Sequence, residues 1–199
     1  MDQPAEIIRR FYDAFQRRDH ATMAACYAPD ATFSDPVFPA LRGAAVGAMW
    51  RMLCERGTDL RIEASDIEAD SAKGSARWEA WYTFSATGRP VHNIITASFT
   101  FRAGLIQTHT DSFDLYRWTR QALGFKGLLL GWAPPVQGAV RAQAARALEA
   151  FIRKHPPNSA MQWFFPRCVN SRHMPRAWRA VLPTSRPGRS GTRSSMRTP

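Results

Sequence analysis

At about residue 60 the hydrophobic pattern changes period, and few arrangements of chain satisfy both halves. Up to that point apolar side chains recur at helical spacing. Beyond it they alternate with polar ones in four runs, at about 60–69, 74–86, 90–102 and 105–116. The links between the last three runs, SATGRP and RAG, are short enough for hairpins, so the spacing predicts an antiparallel meander. Helices first and long strands after predict an α+β domain, its helices on one face of an antiparallel sheet.

In the first half, Ile7, Ile8, Phe11 and Phe15 fall on one helical face, and Pro4 and Glu6 suit a first turn. Asp19 is placed to cap a shorter second helix through Met23, Cys26 and Tyr27, stopped by Pro29 and Asp30. ATFSD then reads as a strand. A third helix is predicted over about 43–55, with Val46, Met49, Trp50 and Leu53 inward, and a last one over 135–153.

Alternation sorts the long strands by face. Trp78, Ala80, Tyr82 and Phe84 share one side, as do Val91, Asn93, Ile95, Ala97, Phe99 and Phe101. The fourth run is unusual. Leu105, Gln107, His109, Asp111, Phe113 and Leu115 share a face, which puts a histidine and a carboxylate among apolar side chains. A carboxylate there is costly unless it is paired or lines a wet cavity.

Charge divides the chain differently. The net charge of +11 suggests a nucleic-acid partner, yet residues 1–152 carry 17 Lys and Arg against 16 Asp and Glu, while residues 153–199 carry 10 basic residues and no acid. The basicity thus belongs to a Pro- and Arg-rich tail from about 155, whose composition predicts disorder. It reads either as a basic arm for nucleic acid or anionic lipid or as an extension without a role, and a nucleic-acid partner is disfavoured. The domain reading is 1–134 for the main body, 135–154 for a C-terminal helix and 155–199 for the tail. Cys26, Cys54 and Cys168 have neither CxxC spacing nor histidines at zinc-site intervals, so no metal and no disulfide framework is expected. The most apolar stretch, GLLLGW at 127–132, is too short to span a bilayer. A cytoplasmic protein with no membrane partner is the expectation.

YAPDATFSDP after two helices, with FTFRAGLIQTHTDSF further on, resembles the nuclear transport factor 2-like superfamily, in particular its SnoaL-like and ketosteroid-isomerase-like branch. The resemblance covers about residues 4–116. It implies a cone: a strongly curved antiparallel sheet wrapped around the N-terminal helices, an apolar pocket at the open end, and commonly a homodimer across the outer sheet face. The general base of ketosteroid isomerase falls on Asp35, with the same following proline. The tyrosine of its oxyanion hole falls on Phe11 and the protonated acid beside it on Ala97, so steroid isomerisation in that form is not expected.

Asp35 before Pro36 is also ordinary turn chemistry. His109 and Asp111 lie on the strand that lines the cavity in this family, where SnoaL-like cyclases and related epoxide hydrolases place acid and base groups. A histidine beside carboxylates in an apolar cavity can exchange a proton near neutral pH. Asp35, His109 and Asp111 are therefore the catalytic candidates. Tyr12, Trp50, Trp78, Tyr82 and Asn93 are the ligand-contact candidates, each set against a purely structural reading. Two functions stay open: a cofactor-independent acid–base enzyme on a small hydrophobic molecule, of isomerase, cyclase or epoxide-hydrolase type, or a non-catalytic binding or dimerisation module.

Overall fold

The structure is a computed structural model and describes residues 4–156. Helix α1, Pro4–Gln16, is strongly amphipathic: Ile7, Ile8, Phe11, Tyr12, Ala14 and Phe15 are buried along one side. Helix α2, His20–Ala25, begins where Asp19 accepts a hydrogen bond from the Thr22 amide at 3.0 Å and one from its hydroxyl at 2.6 Å. Strand β1 is Tyr27–Ser34, β2 the short Leu41–Arg42, and α3 Ala44–Arg56. The long strands follow as β3 Arg61–Ala69, β4 Lys73–Phe84, β5 Arg89–Arg102 and β6 Leu105–Ser112. Three helices close the described chain: α4 Leu115–Leu123, α5 Phe125–Leu130 and α6 Pro134–Lys154.

The six strands form one mixed sheet in the order β2-β1-β6-β5-β4-β3. The expected meander runs from β3 to β6, and its concave face packs on α1. Phe11, Phe15, Phe33, Trp50, Trp78 and Phe99 fill the space between sheet and helices. The inner set on β4 and β5 is as the alternation predicts. Trp78, Ala80, Val91, Ile95, Ala97 and Phe99 are buried, while Tyr82, Phe84, Asn93 and Phe101 are half-buried.

Three local readings differ from this arrangement. The second helix ends at Ala25, and Tyr27 opens β1 instead of continuing the helix. Pro29 and Asp30 sit inside that strand, exposed, at an irregularity in its pairing with β6. They are helix breakers that a bulged strand also tolerates. The fourth strand stops at Ser112 instead of 116, because Asp114 caps α4 by accepting from the Arg117 amide at 2.9 Å. In β6 itself the register with β5 slips after Thr100, leaving Gln107 as the extra residue, so Ile106 is the buried side chain there instead of Leu105 and Gln107. Past the bulge His109 and Asp111 both face inward, as expected. Most of the basic tail, residues 157–199, lies outside the described residues.

The β5–β6 turn has Ala103 at φ 51° and Gly104 at φ 77°. Two successive positive φ values match the right-handed twist of a hairpin, and alanine tolerates this less well than asparagine or glycine. Ala103→Asn should therefore raise unfolding stability by about 0.5–1 kcal/mol, measured by urea denaturation.

Candidate functional site

Strand pairing brings the site together. His109 lies beside Phe33 of β1 and Phe99 of β5, and Asp111 beside Ala97. His109 is 0% exposed. Its ring is surrounded by those of Phe99 at 4.3 Å, Phe33 at 5.1 Å, Phe11 at 5.6 Å, Trp50 at 5.9 Å and Tyr27 at 6.1 Å between centroids. Its two nitrogens are both used: Nδ1 lies 2.6 Å from Tyr27 Oη and Nε2 3.0 Å from Asp111 Oδ1. Trp50 Nε1 donates to Tyr27 Oη at 3.0 Å and Trp78 Nε1 to Asp111 Oδ1 at 3.2 Å. A carboxylate oxygen accepts the hydrogen bond from Nε2, and the direction of the bond between Nδ1 and the tyrosine hydroxyl is set by the histidine tautomer. A single polar thread thus runs through the aromatic core from α3 to β1, β6 and β4.

Asp35 follows β1 as a turn residue and a half-buried carboxylate at once. Its Oδ1 accepts from the amides of Val37, at 2.7 Å, and Phe38, while Oδ2 has no hydrogen bond among the described residues. Burial raises its pKa to about 6. The two amide bonds oppose that shift without cancelling it, and the charge of Asp111 adds to it. One oxygen is fixed and the other is unspent. A carboxyl group in this state can hold or release a proton near neutral pH.

Tyr12 is 1% exposed and its hydroxyl, alone with Gln107 Oε1 among the described buried side-chain atoms, has no partner. Burial first, then the charge of Asp111, holds its pKa well above the ordinary tyrosine range. Burial does the same to Tyr27. Trp50 and Trp78 are core residues whose indole nitrogens serve the polar thread. Tyr82, like Phe113, packs against both the main core and a smaller cluster of Val91, Leu115 and Trp118, and accepts from Trp118 Nε1 at 2.7 Å. Asn93 is half-buried on the inner face opposite Ala80.

Asp35, His109 and Asp111 are therefore electrostatically coupled, with His109 and Asp111 bonded to each other. Two cavities, each of about 500 Å³, lie elsewhere on the domain, and none of the three residues lines either. One is an apolar groove between the 37–41 loop and α6, lined by Val37, Phe38, Leu41, Leu148 and Ile152 with Arg141. The amides that hold Asp35 belong to its wall. Arg141 Nε donates to Pro36 O at 2.8 Å, tying α6 to the same loop. Among the described residues no three His, Cys, Asp or Glu side chains come close enough to hold a metal ion.

Sequence reading missed Tyr27 as part of this constellation. Counting back from Asp35 in steps of two, through Phe33 and Ala31, reaches Tyr27, but Pro29 interrupts the pattern and suggests a helix end.

A curved sheet on an amphipathic helix with ionisable groups buried on the inner face defines the nuclear transport factor 2-like class. The SnoaL-like domain model matches residues 8–109, and the chain belongs to that family. No protein of curated description matches it. Among solved structures, similar ones include a proposed polyketide cyclase from Pseudomonas putida, with 20% identity and a TM-score of 0.52 over 61% of this chain and 99% of that one. IdmH, a proposed polyketide cyclase from Streptomyces antibioticus, has 23% identity and a TM-score of 0.52 over 60% and 98%. An LEH-like epoxide hydrolase from Mycobacterium tuberculosis has 21% identity and a TM-score of 0.50 over 66% and 96%. At these identities the likeness is one of fold.

Two substitutions probe the electrostatics. Tyr12→Phe removes an unpartnered buried hydroxyl at constant shape and should stabilise the fold by about 1 kcal/mol in chemical denaturation. A loss would show that a water or ligand pairs the hydroxyl. Asp35 has a folded pKa of about 6 against the ordinary carboxyl value of 3.8. The folded state therefore binds the extra proton between these values, and stability falls as pH rises through that window, remaining lower above it. Asp35→Asn keeps the amide acceptor and removes the charge. It should change little near pH 4 and stabilise by about 1–3 kcal/mol above pH 7, read from thermal unfolding at both pH values.

Proposed function

We propose that this protein is a cofactor-independent acid–base catalyst acting on a small hydrophobic carbonyl compound or epoxide, with Asp35 as the proton-transfer group. The observation that carries the reading is the state of Asp35, with one oxygen fixed by two amides and the other unspent in a desolvated setting. As a carboxylate it takes a proton from carbon α to a carbonyl, the electron pair passing to the carbonyl oxygen, and returns the proton at a second position. As a carboxylic acid it donates to an epoxide oxygen as the C–O bond breaks and water adds at carbon, and the proton that the added water sheds returns to the carboxylate. His109 and Asp111, at 0% and 4% exposure, act as positioning residues that set the charge felt by Asp35. The neighbouring folds include proposed cyclases and an epoxide hydrolase, which supports the class of chemistry but selects no substrate.

A second reading is favoured by a different observation. Aromatic rings pack His109 on all sides, while the groove beside α6 is open and apolar. On that reading the protein binds a lipophilic molecule in the groove without chemistry, and the Tyr27–His109–Asp111 thread serves the fold. Either reading is compatible with the homodimer the family implies, whose partner face would be the outer sheet. There Trp81 stacks on His92 at 4.6 Å beneath the Arg61 guanidinium at 4.1 Å.

The separating experiment follows deuterium exchange of small cyclic ketones and hydrolysis of small epoxides by NMR, with wild type and Asp35→Asn. On the catalytic reading, ketone exchange rises with pH through about 6, and the variant loses on the order of 10²-fold or more. Binding shifts at Val37, Phe38 and Leu148 without turnover would establish the binding reading. Turnover unchanged by Asp35→Asn would remove Asp35 from the chemistry.

A further inference from the structure

Helix α5 is packed inside out. Its small residues face the domain: a Cβ built on Gly127 would meet the Thr119 carbonyl oxygen of α4 at 1.9 Å, and one on Gly131 the Thr119 hydroxyl at 2.1 Å. Tyr116 Oη fixes the same contact by donating to Leu128 O at 2.8 Å. With glycine inward, the large apolar side chains point away from the protein. Phe125 is 73% exposed, Leu128 47%, Leu129 53%, Leu130 55% and Trp132 63%. A surface helix ordinarily does the reverse, and a contiguous exposed apolar patch marks an interaction surface.

The charge around the patch is of one sign. Between Asp114 and Glu149 the chain carries Arg117, Arg120, Lys126, Arg141 and Arg146 and no acidic residue. Arg89, Arg117 and Arg120 line a cavity of about 500 Å³ to which Phe125 and Leu128 contribute. A second copy docked by a two-fold axis would set these cations against their own images. The segment 153–199 carries 10 basic residues and no acid, so its sequence offers these cations no opposite charge. The occupant that satisfies both features is anionic at its surface and apolar beneath it.

We propose that the α5 segment, Phe125 to Trp132, is a peripheral docking surface for an anionic lipid bilayer. Phe125, the leucines and Trp132 enter the boundary between headgroups and acyl chains, and Arg117, Arg120 and Lys126 meet the lipid phosphates. Among the described residues no helix is long and apolar enough to cross a membrane. The expectation of no membrane partner rested on that spanning criterion, whereas surface docking requires only a short apolar face with cationic flanks.

The test is co-sedimentation of the full chain with phosphatidylcholine vesicles, with and without phosphatidylserine. Wild type should partition onto the phosphatidylserine vesicles, more weakly at high salt. The triple variant Leu129→Ser, Leu130→Ser, Trp132→Ser should keep its thermal transition and lose about ten-fold or more in partitioning. Arg117→Gln with Lys126→Gln should lose about five-fold per charge on the anionic vesicles alone. Failure of wild type to partition would overturn the proposal. So would a serine triple that binds like wild type, which would place the affinity in the basic C-terminal segment. Preference for a single-stranded oligonucleotide over anionic vesicles, or a wild-type dimer that the serine triple dissociates, would also overturn it.

Discussion

The fold is organised around a histidine that has no access to water. His109 sits where β1, β5 and β6 meet beneath α1 and α3, and a polar group there must find its partners inside the protein. It finds them in Tyr27 and Asp111, which are in turn satisfied by the indoles of Trp50 and Trp78. Three of these bonds join β1, α3 and β4 to the pair on β6, so a shift of any one strands a buried donor or acceptor. Networks of this kind reward one arrangement and penalise near misses. The aromatic residues are chosen to match, since a Trp or Tyr fills volume like Phe yet carries a polar handle.

The frame was legible in the sequence because it depends on local periodicity. A meander separated by short turns leaves little choice of pairing, and the inward set on β4 and β5 follows from alternation alone. His109 and Asp111 stood out for the same reason, as polar residues on a face that the period makes apolar. What the sequence concealed depends on distant partners. The parallel pairing of β1 with β6 has no local signature, and without it Tyr27 reads as the end of a helix. Pro29 and Asp30 are breakers in a helix and tolerated guests in a bulged strand, so the residues alone do not choose. The extra residue at Gln107 reverses the inward parity of β6, and only pairing with β5 reveals it. The filling of the interior by Phe11, Phe33 and Phe99 around His109 was likewise invisible, because the same inward aromatics could line a cavity or occupy it.

Asp35 shows why a turn residue and a pocket residue are not alternatives. The proline after it fixes an extended backbone, the following amides converge on one carboxyl oxygen, and the loop they define folds over the group and desolvates it. Turn formation favours the ionised form through two donated bonds, and burial opposes it more strongly. The resulting proton affinity near neutrality is a product of the loop's shape. Arg141, through its bond to Pro36 O, joins α6 to that loop without touching Asp35.

The part of the chain beyond the family match packs on the part within it. Residues 8–109 carry the SnoaL-like match, whereas α4, α5 and α6 lie outside it. Helix α4 closes on Tyr82 through Trp118 and on Val91 through Leu115, and Val140 of α6 joins the same cluster with Val37. Next to Trp118 in α4, Thr119 packs against Gly127 of α5 and Gly131 just after it. An apolar patch held by one face of a helix and a loop-bordering apolar cluster held by the other share a single rigid support. On the function and docking proposed above, a lipophilic ligand concentrated in a bilayer would meet the protein one helix away from that cluster. Trp118 and Thr119, successive residues of α4, thus join the cluster that includes Tyr82 and Val37 to the segment that carries the exposed patch.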